Sequence, residues 1–282
     1  MGPVLLAPGD EARAERFLRA HPDTSLILRS NLRAAGLRYE GQRLQGTWVG
    51  WEEQAELRGV VCHTWNGHLV CQAPAHAAEL AQFARAQSNR KVEGLLGPWA
   101  QLESARRALK LEQPPPSFAC RDVLFGLQLS ELIIPPGGWE CRRVGAEELE
   151  VVAQHRMDFV IEELGAKPTE ATRISARKTV EGIAAEGSYF VLRVEGRVVC
   201  SACFNARIPD CVQLGGVFTP RADRNRGYAR RVVAGMLAVA RDEGVTRAVL
   251  FTGPQSVFAQ RAYQAIGFQQ IGEYGLVLWS SQ

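Results

Sequence analysis

The chain has 282 residues, 46% of them hydrophobic and 22% charged, a globular composition long enough for one large domain or two ordinary ones. Lys and Arg number 33 against 30 Asp and Glu, and the resulting formal charge of +3 is too small for a protein that tracks nucleic-acid phosphates by bulk electrostatics; any anion site has to be local. No apolar run reaches the roughly 18 residues that a membrane span needs, the first ten residues carry no basic stretch ahead of Val4-Leu5-Leu6, and seven thinly spread cysteines suit a reducing compartment, so the expectation is a cytoplasmic protein with neither a nucleic-acid nor a membrane partner.

In chain order, the first half predicts helices over 11–20 and 22–35, with Asp23 or Thr24 as a capping candidate. Strands follow over 47–52 and 56–63, and Trp65-Asn66-Gly67-His68 reads as an Asn-Gly hairpin turn into a strand over 69–72. A helix over 76–87, a strand over 92–96, a helix over 100–109 and a strand over 122–129 come next. Gln113-Pro114-Pro115-Pro116 and Ile134-Pro135-Pro136-Gly137-Gly138 are the strongest breaks, because consecutive prolines continue neither a helix nor a central strand. The boundary is placed at the second, which gives domains 1–135 and 136–282.

The second half predicts a strand over 140–144, helices over 146–157 and 169–186, and strands over 189–194 and 198–204 joined through Glu195-Gly196. A turn at Ile208-Pro209-Asp210 leads to a strand over 211–219, a helix over 227–243, a strand over 247–252, a helix over 256–266 and strands over 271–273 and 276–279. Strand runs followed by helix–strand alternation imply an α/β (α+β) fold with a mixed sheet and helices on both faces. Leu95-Leu96-Gly97-Pro98 and Phe251-Thr252-Gly253-Pro254 each close a strand and open an amphipathic helix at the same place in the two element orders, which points to a duplicated fold.

Chemistry concentrates in 215–231. Gly215-Gly216 interrupts an apolar strand, the usual mark of a bulge or of backbone left free for a ligand. The strand then ends in a basic loop, Arg221 to Arg226, that opens at Gly227-Tyr228-Ala229-Arg230 into a helix with the apolar face Val232, Val233, Met236, Leu237 and Ala240. Free amides at such a helix start, with its dipole, make an anion cradle, and Gly227 and Ala229 keep side chains out of it. Cys200 and Cys203 have a metal-like spacing but point to opposite faces of a strand, and the five histidines form no close-spaced ligand set, so no metal is expected.

Arg224-Asn225-Arg226-Gly227-Tyr228-Ala229, preceded by Val217-Phe218-Thr219-Pro220, together with Tyr263 four residues before Gly267-Phe268, resembles the GNAT superfamily of acyl-CoA-dependent N-acyltransferases over about the second half of the chain. The whole chain looks like a tandem of two GNAT-like domains, each a mixed, mostly antiparallel sheet flanked by helices, with a degenerate first copy lacking the phosphate glycine and the tyrosine. The resemblance implies an acetyl-CoA co-substrate whose pyrophosphate sits on the amides of Asn225, Arg226, Gly227, Tyr228, Ala229 and Arg230, with Arg224 opening the motif, and whose pantetheine arm pairs with Val217, Phe218 and Thr219. It further implies an oxyanion held by an amide freed at the bulge, Tyr263 as the acid that protonates the leaving thiolate, and an unidentified amine acceptor, small molecule or protein lysine, attacking directly in a ternary complex.

Two departures matter. Ser256 stands where many members carry an Asn that contacts the cofactor, and it reads equally as a helix cap. The carboxylate often used as general base is missing at Gln213 and Phe251; a relayed water, or Glu162 or Glu163 from the acceptor-side helix, would have to replace it, with Glu163 as the catalytic candidate. The absent base also suits an alternative, a non-catalytic acyl-CoA-binding sensor or regulatory protein. Nothing in the sequence points to an oligomeric state.

Overall fold

The structure is a computed structural model and describes residues 1–279. The elements run β1 (Gly2–Leu5), α1 (Glu11–Arg19), α2 (Leu26–Ala35), β2 (Gly46–Glu53), β3 (Glu56–Thr64), β4 (His68–Gln72), α3 (Ala77–Ser88), β5 (Gly94–Pro98), α4 (Trp99–Ala108) and β6 (Phe118–Gln128). Then come β7 (Glu140–Arg143), α5 (Leu149–Leu164), α6 (Glu170–Ala185), β8 (Tyr189–Val194), β9 (Arg197–Ile208), β10 (Cys211–Phe218), α7 (Tyr228–Asp242), β11 (Arg247–Thr252), α8 (Val257–Gln264) and β12 (Gln269–Leu278). The order strand, two helices, three strands, helix, strand, helix, strand therefore occurs twice, as the duplicated Gly-Pro helix starts suggest. Among the described residues no helix is long and apolar enough to cross a membrane.

Two compact units form, and they are not successive in sequence. One holds Met1–Leu124, Phe251–Pro254 and the described residues from Ile271 onward; the other holds Phe125–Leu250 and Gln255–Gln270. The expected cut at 135/136 thus falls in the loop after β6, whereas compactness divides the chain inside β6 and assigns most of β12 to the first unit. The reason is strand pairing: β12 lies antiparallel to β5, Tyr274 opposite Pro98 and Leu278 opposite Gly94.

In the first unit the sheet runs β1-β2-β3-β4-β5-β12 followed by the first part of β6; β4 and β5 run parallel, while β1–β2, β2–β3, β3–β4 and β5–β12 are antiparallel. Val49, Val61, Leu69, Leu80, Leu95, Leu102 and Val277 fill one cluster, and Leu18, Leu28, Trp48, Val60 and Val70 fill another. Alternate strand residues serve different clusters, Trp48 against Val49 and Val60 against Val61, which is why these strands read as continuous apolar runs.

In the second unit the sheet runs from the end of β6 through β11-β10-β9-β8-β7; β10 and β11 run parallel, while β10–β9, β9–β8 and β8–β7 are antiparallel. Glu195 (φ 51°) and Gly196 (φ 76°) turn β8 into β9 with both central residues left-handed, the twist a two-residue hairpin requires. Val152 and Val180 from α5 and α6 pack on Tyr189, Val191 and Cys203. Helix α7 buries Val232, Val233, Met236 and Leu237, a stripe at helical spacing, each side chain worth about 1.5–3 kcal/mol on removal from water.

Several boundaries differ from expectation. Helix α5 does not stop at Met157 but continues to Leu164, because no breaker intervenes before Gly165, which takes φ 69° at the C-cap. Strand β12 is one strand rather than two, since Tyr274 and Gly275 stay in register with Pro98 and Gly97. The sequence pattern predicts no strand at β1, because its apolar patch is short; pairing with β2, Val4 opposite Gly50, supplies the structure that its own pattern does not.

Candidate active site

Strand β10 breaks register with β9 between Gly215, opposite Cys203, and Phe218, opposite Ser201. Gly216 sits at φ 56° within this bulge, a conformation that costs an L side chain, and a Cβ there would stand 3.2 Å from Cys203 Sγ and 3.4 Å from Arg156 Nη1. The Cys203 thiol donates to Gly215 O at 3.4 Å, and burial pushes that thiol up to about 11, so it stays protonated. Val217 is half-buried, Phe218 is buried with its ring centroid 5.6 Å from that of His155, and Thr219 Oγ1 is 3.2 Å from Cys200 Sγ.

The chain next makes a single tight turn, Arg221–Asp223, and enters α7 through Asn225 (φ 63°) and Gly227 (φ 72°). Gly227 is the N-cap of α7 and no side chain caps it, so the amides of Tyr228, Ala229 and Arg230 keep the free N–H groups that a helix start exposes. Asp223 is buried and takes two hydrogen bonds from Arg197, at 2.7 and 2.8 Å, which hold its carboxyl below the ordinary range. That pair pins the loop. Arg226 and Arg230 are exposed, whereas the Tyr228 ring is buried and can offer a ligand only its backbone.

Glu162 and Glu163 part company here. Glu162 accepts from Arg224 Nη2 at 2.7 Å and from Arg221 Nε at 3.1 Å, and the Arg224 hydrogen bond leads in holding its carboxyl below the usual value. It ties α5 to the basic loop, and a carboxylate so engaged is a poor proton acceptor. Glu163 is exposed and close enough to Tyr263 to act on it electrostatically. Tyr263 is buried on α8, its ring 6.1 Å from Phe268 in an edge-on contact; burial first, then Cys200 and Glu163, raise the phenol above its ordinary value, so it is protonated at neutral pH.

Ser256 is the N-cap residue of α8, yet its hydroxyl makes no capping bond. Gln213 is buried on β10, opposite Ala206 on one side and Val249 on the other, and supplies no carboxylate. Phe251 belongs to the first unit, where it stacks on Tyr274 with ring centroids 4.7 Å apart.

Three groups escaped the sequence reading. His155 Nδ1 is 3.1 Å from Ser201 Oγ, which also meets the Tyr189 hydroxyl, and burial lowers the imidazole pKa, keeping it neutral. Arg156, beside it, reaches the bulge. Asp223 looked like one acid in a basic loop. The spacing of His155, Phe159 and Glu162 at i, i+4 and i+7 would have signalled the first, had the helix been extended past Met157.

In the first unit the corresponding place is filled from within. Gln101 Oε1 accepts from Ala73 N at 2.7 Å, and Thr24 donates to Gln72 Oε1 at 2.6 Å. His76, at the N-cap of α3, stacks on Trp51 with centroids 3.9 Å apart and planes 9° from parallel. Gln101 thus engages the backbone just after β4 and His76 packs on Trp51, while the start of α3, like that of α7, has no side-chain cap. Among the described residues no group of three His, Cys, Asp or Glu could hold a metal ion.

The profile of the Acetyltransferase (GNAT) family matches residues 153–268. The chain is 35% identical over 95 residues to N-acetyltransferase family 8 member 2 of Rattus norvegicus, a match covering 32% of this chain and 42% of the rat protein, so the chain spans about two fifths of that relative's length. Among solved structures, an acetyltransferase of the GNAT family from Colwellia psychrerythraea aligns at TM-score 0.58 with 15% identity, over 99% of this chain and 100% of that one. A tandem GNAT protein from the clavulanic acid biosynthesis pathway aligns at TM-score 0.54 with 11% identity, over 99% of both chains, a likeness of fold.

Proposed function

We propose that this chain, whose residues 153–268 match the GNAT acetyltransferase profile, transfers an acetyl or short acyl group from CoA to a primary amine by direct attack within a ternary complex. The observation that carries the reading is one strand doing two things. β10 opens a bulge at Gly216 and then delivers the chain, through left-handed Asn225 and Gly227, to an uncapped helix start. A diphosphate fits that start because the amides of Tyr228, Ala229 and Arg230 are free, Arg226 and Arg230 lie beside them, and no Cβ projects from Gly227.

Bound acetyl-CoA supplies the thioester carbonyl; the residues supply the rest. Backbone N–H groups freed by the bulge donate to the oxygen on which charge grows as the amine nitrogen bonds to the carbonyl carbon, a contribution typically worth about 3 kcal/mol. Glu163 takes the proton that the amine must lose. Tyr263 gives its proton to the sulfur as the carbon–sulfur bond breaks, and its raised pKa keeps that proton in place until then. The first unit, which has His76 rather than a glycine before α3 and Gln101 on the backbone of Ala73, is non-catalytic in this scheme.

A sensor that binds acyl-CoA without turnover is favoured by one observation, the buried Gln213 where a base would stand. Acetyl-CoA incubated with a panel of primary amines, with free thiol followed by colour and acetylated product by mass, separates the two. The expected result is amine-dependent thiol release. Stoichiometric acetyl-CoA binding with no thiol released by any amine would establish the sensor instead.

A further inference from the structure

Helix α5 carries Arg156, Phe159 and Glu163 at i, i+3 and i+7, one helix face. Arg156 Nη1 lies 3.4 Å from where a Cβ on Gly216 would stand, and the guanidinium carbon is 5.2 Å from the centroid of the Phe159 ring. The cation is close enough to Cys203 and Tyr189 to draw both thiol and phenol down, against the burial that raises them. Among the described residues no carboxylate comes within ion-pairing distance of Arg156, while Arg197, Arg221 and Arg224 of the same unit are all paired.

An unpaired, half-buried guanidinium aimed at a bulge asks for an anion there. The phosphates of CoA do not answer, because their cradle begins eleven residues further along the chain, at Gly227, and has its own arginines. The acetyl group brings no permanent charge. What remains is the acceptor. Glu163, two helical turns away on the same face and within electrostatic reach of Tyr263, marks the end where the amine reacts.

We propose, resting on the acetyltransferase reading, that the acceptor is an α-amino acid or a close relative with a free carboxylate next to its amine. The carboxylate docks on Arg156, the amine turns toward Glu163 and the bulge, and an apolar or aromatic side chain lies along Phe159. Protein lysines and simple polyamines, which lack that carboxylate, are then poor acceptors.

The test pairs L-phenylalanine, L-leucine and L-methionine with 2-phenylethylamine, isoamylamine and 3-(methylthio)propylamine, which differ from them by the carboxylate, and adds a lysine peptide. The intact protein is expected to prefer the amino acids in kcat/KM. Arg156→Gln is expected to collapse that preference by roughly 10- to 100-fold, the size of a lost charge-assisted hydrogen bond, and Arg156→Lys to restore part of it; acetyl-CoA titrations show whether each variant is folded. An Arg156→Gln protein that loses equally on both members of each pair would overturn the inference and make Arg156 a group serving the reacting carbonyl. Acetylation of the carboxylate-free amines or the peptide alone would overturn it too, with the acetyltransferase reading intact. Acetyl-CoA binding with no amine acetylated would sink that reading itself.

Discussion

Replacing Gly227 by Asp tests the anion cradle directly. At φ 72° an L residue carries a backbone cost of about 1–2 kcal/mol, at the low end for Asp. That cost falls on the folded state whether or not CoA is bound, so it lowers stability by roughly 1 kcal/mol and the midpoint by a few degrees without changing affinity. The side chain acts differently. Its Cβ would stand 3.0 Å from Nε and 3.3 Å from Nη2 of Arg230, a flexible side chain that can give way. A carboxylate about 5 Å from one charge of a diphosphate, at an effective dielectric of about 20, repels it by about 3 kcal/mol. Affinity for acetyl-CoA should therefore fall by about 100-fold or more. Gly227→Ala carries the backbone cost without the charge and separates the two effects. Isothermal titration with acetyl-CoA, beside a thermal melt, reads both. A folded Gly227→Asp protein that binds within threefold of the unmodified chain would mean that the diphosphate does not sit at the start of α7.

Tyr263→Phe keeps the edge-on contact with Phe268 and removes the proton, so the single-turnover rate should drop by at least about tenfold with acetyl-CoA affinity within twofold; an unchanged single-turnover rate would reduce Tyr263 to packing. A fragment of residues 1–135 lacks β12, and with it Tyr274, Val277 and Leu278, whose burial is worth about 1.5–3 kcal/mol each against a total stability of about 5–15 kcal/mol; it should melt without a cooperative transition, and a two-state melt like the full chain's would contradict the pairing of β12 with β5. His63 is fully buried, bonded to Ser88 Oγ at 2.7 Å and Lys91 O at 3.2 Å, and burial first, then Arg90, lower its pKa to about 4 from 6.5. Because the unfolded chain then binds more protons between those values, stability should rise with pH from about 4 to 6.5 and level above. Urea midpoints across that window should show the slope, and His63→Gln should flatten it.

Local sequence was enough to define most of the elements and the glycine-led start of α7 on which the proposed cradle rests. Gly227 ahead of the stripe Val232, Val233, Met236 and Leu237 specifies an uncapped helix start by itself, since glycine tolerates φ 72° and the stripe has helical spacing. The doubled Gly215-Gly216 likewise announced a break in pairing that β9 and β10 display. Both signals lie within a few residues of the structure they cause. Non-local pairing is another matter. That β12 completes the unit of β5, and that β6 ends beside β11, is set by pairing between segments far apart in the chain, and no residue in those strands names its partner. The different fates of Glu162 and Glu163 show the same limit at the site. As adjacent residues on one helix they are equivalent in sequence; a helical step of about 100° turns one to Arg221 and Arg224, where its charge is tied up, and leaves the other within reach of Tyr263. Arg156 could not be told from any other surface arginine until the tertiary fold put it over Gly216 with no carboxylate, among the described residues, within ion-pairing distance. Charge partners are chosen by three-dimensional proximity across elements far apart in the chain, and only packing decides that.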